Sequence, residues 1–219
     1  KLNEDLAEFE LNAYPVELRD SIKDTVNALN NIKSIRRGVD NFSVKVGDVL
    51  GYYTNTISKL INNIVVISNI SNNYEIIRSL TAFVSFINAK ENAGQERAVL
   101  SNTFSADKFG DGIYNKFIAL VVAQNLYIEE FKKYVDPEEL VNYNNITSGN
   151  KDFQEVERMR AVAMENAFTG GFETSGTYWF ATITKKIDIL KQIEDRLAAR
   201  LIKDIDQIRK SNIDVLVFS

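Results

Sequence analysis

Residues 177–210 read TYWFATITKKIDILKQIEDRLAARLIKDIDQIRK. Within them Ile183, Ile187, Leu190, Ile193, Leu197, Leu201 and Ile205 recur in steps of three and four, which lays one apolar seam along a helix. Neither proline nor glycine interrupts the run, so nothing local stops the helix between Thr177 and Lys210. At about 1.5 Å per residue such a helix is roughly 50 Å long. A rod of that length needs apolar partners along its whole seam, and the rest of the chain is written in the same period.

Leu18, Ile22, Val26, Leu29, Ile32 and Ile35 predict one helix from Val16 to Asp40, with Pro15 at its start, where a missing N–H costs nothing. A second helix is expected from about Phe42 to Ile70 and a third from Tyr74 to Thr103, parted by the turn-forming Ser71-Asn72-Asn73. Gly110 and Gly112 break the pattern before a fourth helix, Ile113 to Val135, which Asp136-Pro137 stops. Pro137-Glu138-Glu139 is a good first turn for a short fifth helix to about Tyr143. Asn144 to Asn150 reads as a loop, Asp152 to Phe168 as a sixth helix, and Thr169-Gly170-Gly171 as its end. Two prolines and ten glycines are too few for a many-turned β fold. The expected fold is all-α: an antiparallel up-and-down helical bundle, arranged as two stacked four-helix bundles that share long helices.

The chain has no cysteine and no histidine. It therefore lacks the ligands of a structural zinc, of a cysteine-held iron–sulfur cluster and of a histidine-held haem, and it lacks the usual acid/base and thiol nucleophile at neutral pH. Di-iron helical bundles need Glu-x-x-His pairs and fall with the histidine. No cofactor is expected, and an enzyme is the least expected class. A net charge of −4 argues for no nucleic acid partner and against an anionic membrane face, since both want a dense basic surface. No apolar run approaches the roughly 20 residues that span a bilayer. The apolar end, Ile213 to Phe218, reads equally as the start of a membrane helix cut short or as a simple β or helical tail. With no signal peptide at Lys1, the chain reads as an excised domain.

The stretch that does not fit a plain bundle is Asn88 to Phe104, which reads NAKENAGQERAVLSNTF. The stripe through Leu80, Phe83 or Val84, and Ile87 lands next on Lys90 or Glu91, Gly94, and Arg97 or Ala98. Lys90, Gly94 and Arg97 stand at i, i+4 and i+7 on one side of the helix. A glycine inside a helix costs about 1 kcal/mol relative to alanine, so close helix approach or room for a ligand is its expected motive. Two readings stand side by side: Glu91 and Glu96 pair with Lys90 and Arg97 or with neighbouring helices, or the cations serve a ligand. Arg36-Arg37 near a helix end reads first as a solvated cap. Trp179, between Tyr178 and Phe180, reads as a plug at the bundle end, Tyr52, Tyr53 and Tyr127 as core-edge tyrosines, and Met159 and Met164 as core filler.

Lys90-Glu91-x-x-Gly94-x-Glu96-Arg97-Ala98, followed by Phe104, resembles the signature of the nitrate- and nitrite-sensing family, found in chemoreceptors, histidine kinases and an antiterminator. Tyr52-Tyr53-Thr54, Gln124, Tyr127, Phe131, Arg158-Met159-Arg160 and Trp179-Phe180-x-x-Ile183-Thr184-x-x-Ile187-Asp188-x-Leu190, continuing to Glu194, follow in the family's order, so that the likeness covers roughly Arg36 to Lys203. It implies a single elongated sensor domain over residues 1–219, of two stacked four-helix bundles, whose ligand is a small planar oxyanion, nitrate or nitrite, gripped by arginines. Arg97 is carried over first, Arg158 or Arg160 second from a facing helix, with Lys90 and Gly94 beside them. The family's Gln-x-Glu-Arg-Gly phrase is missing, and Arg36 and Arg37 are the stand-ins. The resemblance further implies a transmembrane chemoreceptor of the inner membrane, this domain periplasmic, attached to the membrane through flanking segments and signalling along the C-terminal helix. A homodimer is the expected assembly. A small carboxylate as ligand, or a bundle that binds no ligand, are the competing expectations.

Overall fold

The computed structural model describes the backbone of residues 10–217, and side chains as far as Ile208 together with Lys210. Every regular element among the described residues is helical, as the all-α reading expects. They are α1 (Val16–Asn30), α2 (Ile32–Asp40), α3 (Val46–Ile70), α4 (Tyr74–Ala106), α5 (Ile113–Tyr134), α6 (Pro137–Thr147), α7 (Lys151–Glu165) and α8 (Gly176–Val217), after a short 3-10 turn at Leu11–Ala13.

The single helix expected over 16–40 is two. Asn31 ends α1, its N–H turning back to the carbonyls of Ala28 and Leu29, and its own carbonyl accepts from Ser34 and Ile35 at the start of α2. Beyond α2, Phe42 adopts the left-handed region at φ 55°, and the Ser43 N–H donates to Asn41 Oδ1 (3.2 Å), so α3 starts at Val46 and not at Phe42. The Asp136 carboxylate caps α6 through the Glu138 N–H (2.9 Å), and the helix runs through the expected loop to Thr147. Backbone helix continues past Lys210 to Val217; the side chains of the apolar end, and Phe218 and Ser219 altogether, lie outside the described residues.

The chain divides into two compact units, residues 1–77 and 78–219. In the first, α1 pairs with α3 through a polar seam: Ser21 Oγ donates to Asn63 Oδ1 (2.6 Å), Asn63 Nδ2 to Thr25 Oγ1 (3.0 Å), and Tyr52 Oη to the Ala28 carbonyl (2.7 Å). Leu18 and Ile61 are its buried apolar residues among those described.

The second unit holds two apolar clusters. One gathers Leu100, Phe104, Phe117, Val156, Met159, Trp179 and Ile183, the other Phe86, Phe131, Tyr143, Leu190 and Ile193. Each fully buried large side chain contributes about 1.5–3 kcal/mol of transfer free energy. Trp179 lies edge-on to Phe104 with ring centres 5.7 Å apart, and its indole N–H donates to the Arg97 carbonyl (3.1 Å), which ties α8 to α4. At the far end Asp107, left-handed at φ 52°, accepts the N–H groups of Gly171 (3.1 Å) and Phe172 (2.9 Å). Gly170 at φ 69° is required there: a Cβ would come within 2.4 Å of the Asp107 carbonyl oxygen.

Candidate functional site

Between the two apolar clusters α4, α5 and α7 of the second unit meet in a polar layer. On α4 the residues Ala89, Ala93, Glu96, Leu100 and Thr103 share one buried stripe, so helical period alone carries a glutamate into the core. Arg160, held between Val156 and Ala163 on the buried side of α7, answers it. Its Nε donates to Glu96 Oε1 (2.7 Å) and its Nη2 to Oε2 (2.6 Å), the bidentate fork that suits a carboxylate. Gln124 completes the layer: its amide nitrogen donates to Glu96 Oε2 (2.9 Å) and to the Leu120 carbonyl (3.1 Å), while its oxygen accepts from Arg160 Nη2 (2.8 Å). Arg160 Nη1 reaches Glu157 (2.6 Å). Burial works against the charge on Arg160, but the hydrogen bonds and charge of Glu96, with Glu157, outweigh it and raise its pKa above the ordinary arginine value. Of the residues singled out in the sequence, this guanidinium is therefore already spent on protein carboxylates.

Arg97, one residue along from Glu96, faces α8 instead. It is half-buried, its Nη1 donates to the Thr184 hydroxyl (3.0 Å), and its guanidinium lies 4.8 Å from the centre of the Phe180 ring. Among the described residues no carboxylate pairs with it. Thr184 Oγ1 accepts from Arg97 and donates to no described acceptor, which leaves its own hydrogen for a ligand oxygen. Lys90 lies on the same side of α4 and pairs with Glu194 of α8. Between them a Cβ built on Gly94 meets nothing within 4 Å. Of the two motives expected for that glycine, close helix approach is absent and open space remains.

The structure does not bring Arg158 to this side. It is exposed on α7 and paired along its own helix with Glu155 (2.7 Å). Arg36 and Arg37 are exposed on α2 of the first unit, Arg37 in the last turn, where a cation suits the helix end. Arg97 and Arg160 share no hydrogen-bond partner: Arg160 is committed to Glu96, Gln124 and Glu157, Arg97 to Thr184. Sequence reading also overlooked Lys186. It sits three residues after Ile183 and four before Leu190, on the buried stripe of α8, and that charge on an apolar face is the signal that marks it.

A family model described as nitrate and nitrite sensing matches residues 1–202. The chain belongs to the nitrate and nitrite sensing family. Among its relatives in that family, the "Nitrate regulatory protein" of Klebsiella oxytoca is 21% identical over 180 residues, covering 82% of this chain and 45% of that protein. The solved structure of the NasR transcription antiterminator matches the fold with a TM-score of 0.81 at 20% identity, over 94% of this chain and 55% of that one. The chain thus spans about half the length of the relatives it matches.

These relatives overturn several expectations. They are a regulatory protein and a transcription antiterminator, which removes the transmembrane chemoreceptor, chemotaxis and signalling toward a membrane. An inner-membrane receptor with a periplasmic domain and flanking membrane segments goes with them; among the described residues no helix is long and apolar enough to cross a membrane. The exclusion of nucleic acid is withdrawn as well, because an antiterminator acts on transcription and the charge argument covered only the half of such a protein that this chain matches. The membrane expectations share one cause: the phrase around Arg97 belongs to the sensing fold and carries no information on what is attached to it.

Proposed function

We propose that this chain is the nitrate- and nitrite-sensing domain of a regulatory protein that acts on transcription, and that Arg97 is the arginine that grips the anion. The observation that carries the reading is a half-buried guanidinium with no carboxylate partner among the described residues, beside a threonine hydroxyl with a hydrogen to give and a glycine that leaves space. A guanidinium is planar, always charged and weakly hydrated, so its paired donors match two oxygens of a planar oxyanion without a large desolvation cost. The Phe180 ring, 4.8 Å from the guanidinium carbon, takes none of its hydrogen-bond donors, so those not given to Thr184 remain for the ligand. Family membership and the names of the relatives support nitrate as the ligand and regulation as the output. The role is sensing and not catalysis: the family is a sensing one, the relative's name is that of a regulator, and the chain has neither histidine nor cysteine.

The test is a thermal-shift scan against nitrate, nitrite, chloride, sulfate, formate and acetate at constant ionic strength. An anion that binds only the native state at 100 times its dissociation constant adds about 2.7 kcal/mol of stability. Nitrate and nitrite are expected to raise the melting temperature of the parent chain and to lose that effect in Arg97→Ala. A panel in which all six anions act alike would sink the reading.

A further inference from the structure

Beside the Glu96–Arg160–Gln124 layer lies a cleft of about 220 Å³ whose floor holds Lys186, Tyr143 and Leu190 and whose mouth carries Asn125, Glu129 and Glu157. Lys186 is buried, 7% exposed, and its ammonium makes no hydrogen bond or ion pair among the described residues; its contact is with the Phe153 ring, 5.4 Å from Nζ to the centre. The nitrogen opens on the cleft, so its three donors take their acceptors from whatever fills that space, water or an anion.

The charged groups around it are otherwise committed. Glu96 on α4 is held by Arg160 and Gln124, Glu157 on α7 by Arg160, and Glu129 on α5 by Lys132 (2.8 Å). Tyr143 is the titratable group that α6 contributes to the lining. Three carboxylates therefore stand against Arg160, Lys132 and Lys186, and the third of these cations has no oxygen to hold.

We infer that this cleft is a second anion site, in which Lys186 holds a small, weakly hydrated monovalent oxyanion. One unpartnered ammonium offers one positive charge, which suits a monoanion better than sulfate or phosphate. The walls at Ala89, Ile128, Phe153 and Leu190 give no replacement for a tightly held water shell, which selects further against strongly hydrated ions. Burial, then the charge of Arg160, brings the Lys186 ammonium down to about 8, against the pull of Glu96 and Glu157. A bound anion works in the opposite direction and restores its proton. The site shares its ligand class with the Arg97 reading but none of its residues.

The experiment is an NMR titration of the full 219-residue chain carrying lysine labelled with carbon-13 at Cε, with sodium nitrate as probe and sodium sulfate as the ionic-strength control. The Lys186 signal is assigned by its absence in Lys186→Met. Nitrate, and not sulfate, is expected to move it and to raise its titration midpoint by about one pH unit, roughly a tenfold preference for the charged form. The same response is expected in Arg97→Ala, which separates this site from the first. Ala89→Leu, which fills the cleft and spares the lysine, is expected to abolish the response; it also covers the case in which Lys186→Met does not fold. A Lys186 signal that ignores nitrate in the parent chain, or that follows nitrate equally well in Ala89→Leu, overturns the inference.

Discussion

Glu96 and Arg97 are neighbours in sequence and opposites in use. The side of α4 that carries Glu96 turns into the bundle, where Arg160 and Gln124 satisfy the carboxylate completely. The side that carries Arg97 turns to α8, where the cation meets a hydroxyl and an aromatic ring and no carboxylate. A buried arginine whose donors are filled by glutamates is a structural cross-link, whereas a half-buried one with donors to spare can take an anion. Burial and charge do not separate the two cases; the partners do.

The comparison breaks first at Glu96. Glu96→Leu leaves Arg160 buried with half its partners gone and is expected to cost about 3–5 kcal/mol in chemical denaturation. Pairing it with Arg160→Met is expected to recover most of that loss, since a buried ion pair replaced as a whole by apolar groups is often neutral. A double variant as unstable as the single one would show that the layer is more than a matched pair.

Lys186 gives the next largest effect. Its folded value, about 8, lies below the ordinary 10.5, so between these values the unfolded chain binds more protons and stability rises with pH. The charged form thus opposes folding below pH 8, by on the order of 3 kcal/mol. Lys186→Met is expected to be more stable at pH 7 and to lose the rise between pH 8 and 10.5, read as the difference between the two denaturation curves. Parallel curves would mean that burial does not lower this lysine from its ordinary value.

Arg97→Ala forfeits one hydrogen bond from a charged guanidinium to a hydroxyl and one ring contact, both half-exposed, and is expected to cost about 1 kcal/mol in the absence of anion. Arg158→Ala, on the solvent side of α7, removes an exposed pair with Glu155 and is expected to change stability by less than about 0.5 kcal/mol and nitrate binding not at all. If Arg158→Ala weakened nitrate binding instead, the second arginine would belong to the site and the contrast drawn on α4 would need a third member.

The helices were legible because their seams are long: Ile183 to Ile205 and the stripes of α4 and α5 fix class and element order without any tertiary knowledge. The break at Asn31 was not, since the apolar period runs through it on both sides. In the candidate site, spacing placed Lys90, Gly94 and Arg97 on one side of a helix, where the structure has them facing α8 or open space. Spacing could not say which carboxylate takes which cation. Arg160 and Arg158 differ by two residues, hence by about 200° around a helix, and only the packing of α7 decides which of them meets Glu96. Attachment to a membrane or to a transcription regulator lay outside what the bundle's own residues encode.

The most direct test is isothermal titration of nitrate into the parent chain, Arg97→Ala and Arg97→Lys at constant ionic strength. The account predicts that Arg97→Ala loses the Arg97-dependent binding event and that Arg97→Lys, with the charge but without the planar fork, recovers little of it. Nitrate bound by Arg97→Ala with the parent's affinity and stoichiometry would contradict it.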